Sequence, residues 1–256
     1  MTRYLIANWK MNLPPEGVGQ FVDAVSVAEP AGVRIVIAPP FPFISEVVRR
    51  SDKLPVAGQN CSDKTSGAFT GEVSATMLRD CGARFVILGH SERRTLFHEG
   101  DAVISRKLSV ALDTGLKPVL CIGEDSSVRD AGHVARFLAE QIKATAVASL
   151  ESADEIVLAY EPIWAIGTGR SASGAMVAET VAEIRHALER FWPARQAAMP
   201  ILYGGSVTPE NVADLMDHGR IDGFLVGGAS LDSRKFLGIH AGMLDGGGQS
   251  GKNSHP

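Results

Sequence analysis

Short apolar runs recur along the chain, most of them ending in glycine, proline or a polar residue. They cover Tyr4 to Asn8, Val33 to Ala38, Pro55 to Gln59, Phe85 to Gly89, Pro118 to Gly123, Ile156 to Tyr160, Pro200 to Tyr203 and Gly223 to Val226. Runs such as Val33-Arg34-Ile35-Val36-Ile37 and Phe85-Val86-Ile87-Leu88 alternate poorly between apolar and polar, as parallel strands buried on both faces should. Between the runs the apolar positions follow a helical period. Val177, Val181, Ile184, Leu188 and Phe191 step by four, three, four and three, which places one apolar stripe along a helix. Val134, Phe137, Leu138 and Ile142 do the same after the fifth run. Thr208 and Pro209 predict a helix start, with Thr208 as N-cap and Pro209 in the first helical position.

A strand–helix alternation can give an open, doubly wound sheet or a closed barrel. Eight such units within about 240 residues favour the closed form, an α/β fold built as an eight-stranded parallel (β/α)8 barrel. The reading is one domain over residues 1–244, followed by a Gly-rich, polar stretch, 245–256, expected to be a disordered tail. A chain of 256 residues that is 45% hydrophobic suits one large core. The formal charge of -4 excludes an overall basic field for nucleic acid, so an anionic substrate must be held by local groups. No apolar run approaches the roughly 18 residues that span a bilayer. Met1-Thr2-Arg3-Tyr4 leads directly into the first run without the pattern of a secretory leader. Cys61, Cys81 and Cys121 lack CxxC spacing and read as buried free thiols in a reducing cytoplasm.

In such a barrel the active site lies at the C-terminal ends of the strands. The polar residues that follow the runs are therefore the candidates: Asn8 and Lys10, Gln59 and Asn60, His90, Ser91 and Glu92, then Glu161. Gly204-Gly205-Ser206 and Gly227-Gly228 follow the last two. Each has a plainer alternative. Lys10 suits a solvated surface, His90 a structural hydrogen bond, Glu161 a turn before Pro162, and either glycine pair a tight turn. Their joint placement at strand ends favours chemistry, with a base, an acid and a cation facing one mouth. Two glycine pairs on adjacent strands leave room for backbone N–H groups to close on a phosphate. Ala229-Ser230-Leu231-Asp232 reads as the start of a short helix aimed at that anion. The segment Glu161 to Ala172, with Gly167 and Gly169 near its middle, has the makings of a lid, although its length alone favours an ordinary βα loop before a helix near Gly174.

Five segments resemble the triosephosphate isomerase family: Asn8 to Asn12, Gly89 to Arg94, Ala159 to Gly169, Tyr203 to Val207 and Gly223 to Leu231. The resemblance runs in order from about residue 3 to about residue 240. It implies a TIM barrel that interconverts dihydroxyacetone phosphate and D-glyceraldehyde 3-phosphate through an enediolate, in glycolysis and gluconeogenesis. It further implies Glu161 as the base, neutral His90 as the electrophile and proton shuttle, and Lys10 as the stabilising cation. The family is itself a standing illustration of such a pair beneath a closing loop. Asn8 would help to orient the substrate, Glu92 would support Lys10, and Gly167, Ser206, Gly227 and Gly228 would hold the phosphate. No metal or organic cofactor is implied. The family is typically dimeric, and here Cys61 to Glu72 matches its interface loop, with Thr70 reaching toward the partner's site. Arg170 stands where lysine is common in the lid. An isomerase for a tetrulose phosphate, a Schiff-base aldolase using Lys10 and a catalytically dead phosphate-binding barrel are the alternatives.

Overall fold

The computed structural model describes residues 2–27, 32–146, 156–165, 172–191 and 199–245. Eight strands form one parallel sheet: β1 (Arg3–Asn8), β2 (Val33–Ala38), β3 (Ala57–Gly58), β4 (Phe85–Leu88), β5 (Lys117–Ile122), β6 (Val157–Tyr160), β7 (Ile201–Tyr203) and β8 (Gly223–Val226). Their order in space is β2-β1-β8-β7-β6-β5-β4-β3. A parallel bridge from Ile37 to Val56 then joins β2 to the start of β3 and closes the barrel. Each expected strand is present. That of Pro55 to Gln59 is the shortest, since regular pairing survives only at Ala57 and Gly58.

The poor alternation of the strands has a direct structural cause: both faces are buried, against two separate cores. Tyr4, Ile6, Val36, Phe85, Ile87, Val119, Val157, Ala159, Leu202 and Leu225 pack with one another inside the barrel. Their sequence neighbours, such as Leu5, Ala7, Ile35, Ile37, Val86, Leu88, Leu158 and Tyr160, pack outward against the helices. The outer layer takes up the helical stripes. In the helix Gly174–Phe191, Val177, Val181, Ile184 and Leu188 are buried, and Phe191 packs at the margin of the same cluster. Full burial of each such side chain contributes about 1.5–3 kcal/mol.

Three local expectations are corrected. The helix after β7 is Val212–His218, so Asn211 and not Thr208 occupies its N-cap. The Asn211 side chain folds back to accept from the Thr208 N–H at 2.8 Å, while the Thr208 carbonyl accepts from the Asn211 and Val212 amides. That closed turn absorbs Pro209 and delays the helix. Asp245, read as the start of the tail, ends the helix Ser233–Asp245, and residues 246–256 lie outside the described residues. Cys81 is exposed, whereas Cys61 and Cys121 are buried and all three thiols are free.

Candidate active site

Strand parity carries the site. Continuing each inward-facing series by two residues past its last barrel position reaches Asn8 on β1, Gly123 after β5, Glu161 after β6, Gly204 after β7 and Gly227 after β8. Side chains at these positions face the C-terminal mouth. Glycine at three of them opens the space that the other two fill. A Cβ at Gly123 would overlap the Glu161 carbonyl oxygen, and one at Gly204 would lie 2.9 Å from the Glu161 Cγ. A cavity of about 640 Å³ results, lined among others by Lys10, His90, Glu161, Ser206, Gly227 and Gly228. Asn8 and Glu92 also border it. Of the expected site residues only Gly167 is left unplaced. It lies with Arg170 in residues 166–171, outside the described residues.

Glu161 is pinned from both sides. Its N–H donates to the Ile122 carbonyl at 2.7 Å, and the Gly204 N–H donates to the Tyr160 carbonyl at 2.8 Å. The buried carboxylate accepts from the Ser91 N–H through Oε2 at 2.9 Å, and its Oε1 lies 3.1 Å from His90 Nε2. His90 combines the two readings left open by the sequence. It caps the helix Ser91–Leu96, its Nδ1 accepting the Glu92 N–H at 3.2 Å. A ring nitrogen that accepts an N–H carries no proton, so the proton sits on Nε2 and points to Glu161. Beneath the pair lies Cys121, whose thiol is pushed well up by burial and then by the Glu161 charge. It remains a neutral filler.

Lys10 reaches the mouth through an unusual backbone. Its φ is +52°, a left-handed conformation that costs a lysine roughly 1 kcal/mol or more. Neighbours hold it there. Asn8 Oδ1 accepts the Lys10 N–H at 3.2 Å, and Gln59 Nε2 donates to the Lys10 carbonyl at 2.8 Å. The ammonium meets Glu92 Oε1 at 2.7 Å. Gln59 is thus a support for Lys10. Asn60, a further strand-end candidate, turns away from the mouth and accepts from the buried Lys107 ammonium at 2.9 Å.

On the far side of the cavity the expected short helix is a single 3-10 turn, Gly228–Leu231, which ends before Asp232. Its Ser230 N–H and hydroxyl both return to the Gly227 carbonyl, at 2.8 and 2.7 Å. Ser206 Oγ donates to the Ala165 carbonyl at 3.2 Å, tying the β7 loop to the base of the candidate lid.

Sequence reasoning missed a buried anchor beside that base. Glu124 Oε1 accepts from the Tyr160 hydroxyl at 3.0 Å, Trp164 Nε1 at 2.9 Å and Arg129 at 3.0 Å. The Arg129 guanidinium also stacks 4.7 Å from the Trp164 ring centroid. Three donors converge on one oxygen of this carboxylate, while its Oε2 is buried with no hydrogen-bond partner among the described residues. Glu124 stands at a strand end as Glu161 does, one residue past Gly123.

The comparisons with known proteins agree with this geometry. The profile of the family described as triosephosphate isomerase matches residues 3–243. A triosephosphate isomerase of Symbiobacterium thermophilum is 45% identical, covering 94% of this chain and 96% of its own. Those of Moorella thermoacetica and Aquifex aeolicus are 43% and 39% identical, each covering 93% of this chain and 98% of its own. A closed eight-stranded barrel, a paired glutamate and histidine at its mouth and a match along nearly its whole length make this chain a member of the triosephosphate isomerase family.

Proposed function

We propose that this enzyme interconverts dihydroxyacetone phosphate and D-glyceraldehyde 3-phosphate through an enediolate. The observation that carries the reading is the contact of Glu161 with the protonated nitrogen of a neutral His90, 3.1 Å apart, in one cavity with Lys10 and two glycine turns. Glu161 removes the proton from the carbon beside the carbonyl, and the C–H electron pair moves into the new C–C double bond. The carbonyl oxygen takes up the displaced electrons and becomes the enediolate oxygen. His90 Nε2–H and the Lys10 ammonium stabilise that oxygen as its charge grows. His90 then exchanges protons between the two oxygens, and Glu161 returns its proton to the neighbouring carbon. Base and shuttle end as they began. Both Glu161 oxygens are hydrogen-bonded beforehand, to Ser91 and His90, so the incoming substrate must replace those contacts to claim the base.

Ser206, Gly227 and Gly228 bind the phosphate at the other side of the cavity, and Gly167 would join them from the lid. Asn8 supports Lys10, and Glu92 holds its ammonium until substrate arrives. A coupled assay with glyceraldehyde 3-phosphate tests the reading, with a tetrulose phosphate as comparison. Absence of turnover with the triose would overturn it. The family profile and the names of the relatives lend no support to the tetrulose alternative. Borohydride trapping of substrate on Lys10 would instead reveal a Schiff-base aldolase.

The reading extends to a homodimer joined through Cys61 to Glu72. Exposed apolar side chains on the connections after β1, β3 and β4 support it, among them Met11, Phe69, Leu96 and Phe97. The loop's base is firmly held, with Lys107 bridging Asn60 and Glu99 at 2.9 and 2.6 Å. Burial pushes the Cys61 thiol there up to about 12, which keeps it protonated and unreactive. Three free cysteines suit the cytoplasm, and no helix of the described residues is long and apolar enough to cross a membrane.

A further inference from the structure

The N-terminal mouth of the barrel holds a second cavity, about 820 Å³, unrelated to the catalytic one. Arg34, Lys53, Arg84 and Lys117 line it, and no Asp or Glu does so among the described residues. Strand parity aims two of these cations inward. Arg34 continues the Val36 and Ala38 series of β2, and Lys117 continues the Val119 and Cys121 series of β5. Arg34 pairs in register with Tyr4 and Lys117 with Phe85, and the Tyr4 and Phe85 rings meet edge to face at 6.2 Å. The Lys117 ammonium crosses this floor to lie 5.7 Å from the Tyr4 ring centroid, on the strand beside Arg34. Arg84 lines the same cavity, and its backbone carbonyl accepts from the Lys117 N–H at 2.9 Å.

Three of the four cations, Arg34, Arg84 and Lys117, have little to neutralise them among the described residues. Among the described residues Arg34, Arg84 and Lys117 make no ion pair, and Arg84 only approaches the Ala83 carbonyl at 3.4 Å. A ring face attracts an ammonium but does not cancel its charge. Several like charges converging on a concavity, in a chain of formal charge -4, repel one another until an anion enters. We propose that this mouth is a second anion site, which takes a compact polyphosphate of the inorganic pyrophosphate class. Two guanidinium forks match phosphoryl oxygens, and a linked pair of phosphoryl groups spans cations presented from separate strands.

Calorimetric titration with inorganic pyrophosphate at low ionic strength tests this, comparing the wild type with Arg34→Gln/Lys117→Gln. Competition at the catalytic mouth is read separately, as inhibition of turnover. The double variant should bind at the second site about tenfold more weakly or worse, while kcat, KM and inhibition by pyrophosphate stay unchanged. Its anion-free melting temperature should rise, because repulsion is relieved. Arg34→Gln alone, at an exposed side chain, gives a milder version of the same pattern. An unchanged isotherm, or a lower anion-free melting temperature in both variants, would overturn the site. Inorganic phosphate binding as tightly as pyrophosphate would overturn the polyphosphate assignment.

Discussion

The two mouths of this barrel are built from the same strands with the same parity, yet they do opposite things with it. At the C-terminal mouth the last inward positions are Asn8, Gly123, Glu161, Gly204 and Gly227, small or polar residues that leave a cavity around a carboxylate. At the N-terminal mouth the first inward positions include Tyr4, Arg34, Phe85 and Lys117, large side chains that floor the barrel and ring it with charge. One end gives up packing to obtain chemistry, and the other closes the core. Substitutions at the first should therefore change turnover with little effect on stability, and substitutions of the aromatic floor at the second should do the reverse.

The largest expected effect is that of Glu161→Asp. Shortening the arm withdraws the base from the reacting carbon by about one C–C bond, and kcat should fall roughly a hundredfold or more. KM should change far less, because the phosphate contacts remain. Equal activity in steady-state kinetics would remove Glu161 from the role assigned to it. Next in size is Phe85→Ala in the opposite floor. It removes a buried ring that packs on Tyr4, and urea denaturation should show a loss of about 3 kcal/mol or more. Its kcat should stay within a factor of about two, and a collapse of kcat would contradict the separation of the two ends.

Gly204→Ala probes the same contrast more finely. The added methyl would sit 2.9 Å from the Glu161 Cγ and must displace the base by a few tenths of an ångström. A loss of about tenfold in kcat is expected, with the denaturation midpoint nearly unchanged. A loss of stability with normal kcat would mean that the glycine serves the fold alone.

The smallest effect belongs to neither mouth and calibrates both. His240, buried on the helix Ser233–Asp245, has its pKa lowered from 6.5 by burial. The unfolded chain then binds more protons than the folded one below pH 6.5, so this contribution is complete above that pH and declines as pH falls through it. Denaturation midpoints at about pH 7.5 and about pH 5.5 should converge somewhat in His240→Leu. If the difference is the same in both proteins, other groups are responsible for it.

Much of this was legible in the chain. Strand runs at regular intervals gave the barrel, because residues buried on both faces must be apolar at every position. The barrel in turn brings the polar residues at the strand ends to one mouth. Errors arose where a side chain overrode a local preference. Asn211 folding back on Thr208 shifts the helix start from the position that Pro209 marks in the sequence. The position of Glu124 at a strand end is legible in the chain, whereas its meeting with Tyr160, Trp164 and Arg129 is tertiary. Ser91, a candidate by its side chain, serves Glu161 through its backbone N–H.

By itself the sequence determined the alternation of strand and helix, the residue types at the strand ends and, through them, the kinship with one isomerase family. These follow from periodicity and from local chemistry, which a linear chain carries in full. Only the tertiary structure decided which atoms meet. It set Glu161 against the protonated nitrogen of His90, held Lys10 in a left-handed turn through Asn8 and Gln59, and drew Arg34 and Lys117 to the opposite mouth. The Glu161–His90 and Gln59–Lys10 contacts join residues from different strands, and their strength depends on separations of a few tenths of an ångström that closure of the barrel alone can set.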